Sequence, residues 1–153
     1  MLSPGDQLPK FNLPDQSGRE KKFTDLAGPK GLVLFVYSKD NTSGCTAEAS
    51  EFQELLGRFG QAGYGVAGLS RDKVPSHAKF AEKLGLSYGI LADPECVLLK
   101  ALGAWGEKKL YGKVSEGPLR GTFVADGRGK LVKVYPKVKA KGHAAAVLAE
   151  LAS

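Results

Sequence analysis

GLVLFVYSKDNTSGCTAEASEFQELLGRF, residues 31–59, decides the architecture. The run Gly31 to Tyr37 is continuously apolar, bounded by polar turn residues and far short of the roughly 20 residues that span a bilayer, so it predicts a buried strand over Leu32–Tyr37. Downstream, Ala49, Phe52, Leu55, Leu56 and Phe59 recur at helical spacing and predict a helix from about Ser43 to Phe59. One of only two cysteines, Cys45, sits where the strand hands over to the helix.

Outward from this stretch the same alternation continues. Strands are expected at Gly65–Ser70 and Tyr88–Ala92, and helices at about Ser76–Leu84 and Pro94–Leu102. Asp93 before Pro94 reads as an N-cap followed by proline at the first helical position, while Gly85 and Gly103 stand where helix C-termini favour positive φ. Beyond Trp105 the pattern changes. Thr122–Ala125 and Lys130–Tyr135 are strand-like and flank Asp126-Gly127-Arg128-Gly129, a hairpin turn, and a last helix carries Ala144, Val147, Leu148 and Leu151 on one face. The expectation is an α/β fold: a central mixed sheet with parallel strands joined by crossovers, an added antiparallel pair, and helices on both sides.

The 153 residues show no repeat, low-complexity tract or linker and are read as one domain, residues 1–153. Two cysteines do not make a disulfide framework, and the proline- and glycine-rich N-terminus lacks an apolar signal segment, so the expected location is cytoplasmic and away from membranes. The net charge of +6 suits solubility or an anionic partner. The basic run VKVYPKVKAKGH lacks interleaved aromatics for base stacking and reads as a solvated strand face, arguing against nucleic acid. No phosphate-binding glycine signature appears, so no nucleotide or flavin cofactor is implied. His77 and His143 lack the company a metal site needs and are expected at helix ends on the surface.

Cys45 can be read in two ways. A free cysteine is most often a small buried hydrophobe. In the first turn of a helix, however, unpaired backbone N–H groups and the positive end of the macrodipole favour a nucleophilic thiolate. Thr42, three residues earlier, could reach the sulfur or cap the helix. No apolar residue lies between Tyr37 and Cys45, which favours the reactive reading.

SKDNTSGCTAEASEF resembles the active-site turn of the peroxiredoxins, in particular the bacterioferritin-comigratory or PrxQ group. The resemblance extends through GDQLPKFNLPDQSG, LSRDKVPSHAKFAEKLGL, LADPE, WGEKKLYGK, LRGTFVAD and KVKAKGHAAAVL. It implies a thioredoxin-like fold with added N-terminal strands and an inserted helix. It also implies a thiol peroxidase of a group that is often monomeric, and with no cofactor or metal motif in the sequence none is expected. Cys45 would be the peroxidatic cysteine that becomes a sulfenic acid, Thr42 would orient the peroxide, and Arg120 would stabilise the thiolate and the departing oxygen. The partners implied are a peroxide and a reducing thiol from thioredoxin, glutaredoxin or a small thiol.

Three positions depart from the group. Ser38 and Ser43 stand where prolines are usual, and Ser50 stands where many members carry a resolving cysteine, so the usual local disulfide is impossible. Glu48 matches a family glutamate or is simply a first-turn acid favoured by the dipole. Cys96 is expected in the first turn of a helix beside Asp93 and Glu95, whose charge makes it the poorer nucleophile. It would resolve Cys45 if the chain unwinds locally, or else pack beside Val97 and Leu98. Trp105 would line the site or simply pack. Two other functions stay open: a redox-sensing or interaction module on the same fold, and a basic anion-binding domain.

Overall fold

The structure, a computed structural model, describes residues 1–152. Five strands form the central sheet in the order β5-β4-β3-β8-β9: β3 (Gly31–Val36), β4 (Tyr64–Ser70), β5 (Gly89–Ala92), β8 (Gly121–Asp126) and β9 (Leu131–Tyr135). β3, β4 and β5 run parallel, whereas β8 pairs antiparallel with both β3 and β9. The mixed sheet expected from the alternation of strands and helices is therefore the one observed.

The central strand β3 is buried along its whole length. Its side chains alternate between two cores, as the pleat dictates. Val33, Phe35 and Tyr37 face α2 (Ser43–Gln61), α3 (Val74–Leu84) and α5 (His143–Ala152). Leu32, Leu34 and Val36 face α4 (Val97–Ala101), Leu8 and the short helix α1 (Phe23–Leu26). Phe35 stacks on Phe52 of α2 with ring centroids 4.5 Å apart. Each such fully buried side chain stabilises the fold by about 1.5–3 kcal/mol. Gly85 (φ 66°) and Gly103 (φ 71°) take the left-handed conformation that closes their helices, as read from the sequence.

Two features differ from expectation. A two-stranded antiparallel sheet, β6 (Trp105–Leu110) with β7 (Lys113–Pro118), occupies the segment where the pattern faded, whereas β1 (Leu13–Pro14) pairing with β2 (Glu20–Lys21) near the start agrees with the N-terminal strands the resemblance implies. The fourth helix starts at Val97, not Pro94. Pro94 and Glu95 form a turn, and Asp93 accepts hydrogen bonds from the backbone N–H groups of Val97 (3.1 Å) and Leu99 (2.8 Å) across it. No helix among the described residues is long and apolar enough to cross a membrane.

Candidate active site

The turn between β3 and α2 is tied down from below. Tyr37 donates to Asp40 Oδ1 (2.6 Å), Ser76 donates to Asp40 Oδ2 (2.8 Å), and His77 Nδ1 lies 2.8 Å from the same oxygen. The other ring nitrogen of His77 faces the Leu91 carbonyl at 2.9 Å, so both nitrogens meet oxygen acceptors. Burial would raise the Asp40 carboxyl, but the hydrogen bonds from His77 and Tyr37 outweigh it and hold the group below its ordinary value. Asp72 accepts from the Asp40 backbone N–H (2.9 Å) and from Ser70 (2.6 Å), completing the tie. His77 is thus fully buried, and His143 nearly so, where the sequence suggested surface positions. His77 shares its helix face with Phe80 and Ala81, three and four residues on.

From this anchored turn the chain reverses through Asn41 in the left-handed region (φ 66°) and enters α2. Thr42 is the N-cap residue, yet its hydroxyl donates to the Lys39 carbonyl (3.0 Å) and accepts no hydrogen bond from the helix amides. Cys45 lies in the first turn of α2 with no exposed surface. Arg120, immediately before β8, donates from Nη2 to Cys45 Sγ at 2.8 Å and from Nη1 to Glu48 Oε1 at 3.1 Å. Ser38 Oγ stands 3.5 Å from the sulfur. The positive end of a 19-residue helix and a guanidinium therefore both face the sulfur.

Glu48 is fully buried, not the solvated first-turn acid that was the alternative to the family match. Burial pushes its carboxyl up to about 7, with Arg120 opposing and Glu51 adding to the rise. Its second oxygen has no hydrogen-bond partner among the described residues. The signal was present in the sequence, because Glu48 follows Cys45 by three and precedes Phe52 by four, on the apolar face. Lys108 of β6 also looks into this region. Burial lowers its ammonium, the neighbouring cations Arg71 and Arg120 lower it further, and Cys45 opposes them. The site is therefore bordered by three cations.

Cys96 is elsewhere. It occupies the N-cap position of α4 with φ 60°, one residue before the helix and not in its first turn. It packs with Leu34, Val36, Leu69 and Leu91 on the sheet face opposite the one that receives Cys45. Burial pushes its thiol up, Asp93 adds to this, and Arg71 and Lys100 oppose it. Both cysteines are free thiols. Trp105 packs against the core containing Cys96, with Lys100 Nζ 5.0 Å from its ring centroid. A cavity of about 620 Å³ lined by Leu8, Phe11, Phe23 and Arg128 lies beside the β8–β9 turn, at the other end of β8 from Arg120.

A mixed sheet covered by helices on both faces, its central strand leading into a helix that begins with a buried cysteine, is a thioredoxin-like fold. The sequence profile of the AhpC/TSA family matches residues 4–134, and the chain belongs to that family. A Mycobacterium tuberculosis (strain H37Rv) chain designated a peroxiredoxin is 43% identical over 150 residues, 98% of this chain and 95% of its own. Peroxiredoxin Bcp of Escherichia coli K12 is 38% identical over 147 residues, 96% of this chain and 94% of its own. The solved bacterioferritin comigratory protein of Xanthomonas campestris, described for its alkyl peroxide reduction activity, superposes with a TM-score of 0.86 at 36% identity, covering 99% of this chain and 95% of that one. These likenesses make the chain a thiol peroxidase of the Bcp/PrxQ peroxiredoxins.

Proposed function

We propose that the chain acts as one domain, as a monomer, and reduces hydrogen peroxide and organic hydroperoxides through Cys45, with Arg120 and Thr42 as its partners. The observation that carries this reading is the 2.8 Å contact from Arg120 Nη2 to the sulfur of the fully buried Cys45. The Cys45 thiolate attacks one peroxide oxygen. The S–O bond forms as the O–O bond breaks, sulfur is oxidised to the sulfenic acid, and the leaving oxygen takes up a proton from water to become water or an alcohol. Negative charge moves from sulfur to the departing oxygen during this step, and Arg120 stays cationic to receive it, within the field of Lys108 and Arg71. The Thr42 hydroxyl, whose proton is committed to Lys39, keeps its oxygen lone pairs to accept from the peroxide O–H. The alkyl peroxide activity of the Xanthomonas campestris relative supports including organic hydroperoxides.

The resolving thiol comes from a second molecule: thioredoxin, glutaredoxin or a small thiol. It condenses with the sulfenic acid, releasing water and forming a mixed disulfide that another thiol reduces. Cys96, the internal candidate, belongs to the core on the other face of the sheet, whereas a disulfide needs Cα atoms within about 7 Å. Intact mass and peptide mapping after one equivalent of hydrogen peroxide test the whole scheme. One added oxygen on Cys45 is expected, and Cys96→Ser leaves this first oxidation unchanged. Loss of two hydrogens with a Cys45–Cys96 linkage would refute the outside thiol, and full turnover by Cys45→Ser would refute the assignment of Cys45.

A further inference from the structure

Arg120 reaches the sulfur across the first turn of α2, and the residue beneath its guanidinium is Gly44. A Cβ at Gly44 would stand 2.9 Å from Arg120 Nη2, and 3.7 Å from both Arg120 Cζ and the Cβ of Ala140. Nη2 is the nitrogen that donates to Cys45, while Nη1 of the same planar fork is held by Glu48. Gly44 and Glu48 are four residues apart and share one helix face, so the guanidinium sits against that face, bonded to Glu48 through Nη1 and to Cys45 through Nη2. A group fixed at two corners has no way to slide off an added methyl and keep both bonds.

The backbone does not ask for glycine here. Gly44 is helical and is absent from the positions with positive φ. Glycine weakens a helix relative to alanine, so the position carries a cost that backbone conformation leaves unexplained. The same helix supplies its own comparison: a Cβ at Gly57 or Gly60 would have nothing within 4 Å. We propose that Gly44 is a positioning residue whose missing side chain is the slot through which Arg120 contacts the reacting sulfur. This rests on the reading of Cys45 and Arg120 given above.

The test compares the second-order rate of Cys45 oxidation by hydrogen peroxide in Gly44→Ala, Gly57→Ala, Arg120→Met and the Gly44→Ala/Arg120→Met pair, together with each melting temperature. Gly44→Ala is expected to fold and melt cooperatively, yet to react at least about tenfold more slowly, part of the loss typical of removing one preorganised donor. Gly57→Ala keeps the wild-type rate. In the Arg120→Met background the Gly44 substitution adds no further slowing, because the group it displaces is gone. A wild-type rate for Gly44→Ala overturns the proposal. So does an equal slowing in both backgrounds. A wild-type rate for Arg120→Met alone would instead overturn the reading of Arg120, and the slot with it.

Discussion

Glu48→Gln is expected to make the protein progressively more stable relative to wild type as pH rises. A fully buried carboxyl held at about 7, against 4.5 for the free group, binds its proton more tightly in the native chain than in the unfolded one. Below pH 4.5 both states carry the proton and Glu48 contributes no difference. Between 4.5 and 7 the unfolded chain releases it while the native chain does not, which favours unfolding, and above 7 the loss saturates at about 3 kcal/mol. Glutamine keeps the shape and does not titrate. Urea unfolding of both proteins from pH 4.5 to 7.5 should therefore give a stability difference, variant minus wild type, that grows by about 3 kcal/mol. The difference curve is needed because His143 titrates with the opposite sign over much of the same range. Burial, aided by Arg120, lowers its imidazole to about 4. A difference that is flat, or that shrinks as pH rises, would refute the reasoning.

Arg120→Met should slow the first oxidation of Cys45 by about 10²–10³-fold in stopped-flow measurements, and Arg120→Lys should not restore it, since a point ammonium cannot bond Cys45 and Glu48 together. The ring resonances of His143 should keep their neutral-form shifts as pH falls through 6.5 and turn over near 4; a midpoint near 6.5 would mean a solvated ring. Phe52→Ala should cost about 3–5 kcal/mol in denaturant melts, because Phe52 is fully buried and stacked on Phe35.

The elements that were legible in the sequence are those whose periodicity comes from burial. β3 announced itself because both its faces are covered, and α2 because Ala49, Phe52 and Phe59 line one core. The β6–β7 hairpin was not legible because Glu107, Lys108, Lys109, Lys113, Ser115 and Glu116 pair across a ladder without burying an apolar face. The start of α4 was misplaced because Asp93-Pro94 satisfies a capping rule locally, while Asp93 in fact bonds amides four and six residues ahead. His77 was missed as a buried group because a polar residue on an apolar face was read as surface, and Glu48 was left between a family match and a solvated acid. Their spacing pointed inward, but the partners that make burial tolerable, Asp40 and Arg120, come from distant segments.

β8 enters the sheet between β3 and β9, and it carries Arg120 to a sulfur 75 positions earlier in the chain. Cys45 thus leaves the ribosome long before the guanidinium that completes its surroundings. A nascent or truncated chain ending before Arg120 lacks this contact, and the composite setting arises only when the last fifth of the polypeptide docks. The surroundings of Cys45 are in this way tied to closure of the sheet: the sulfur meets its guanidinium only once β8 has paired with β3.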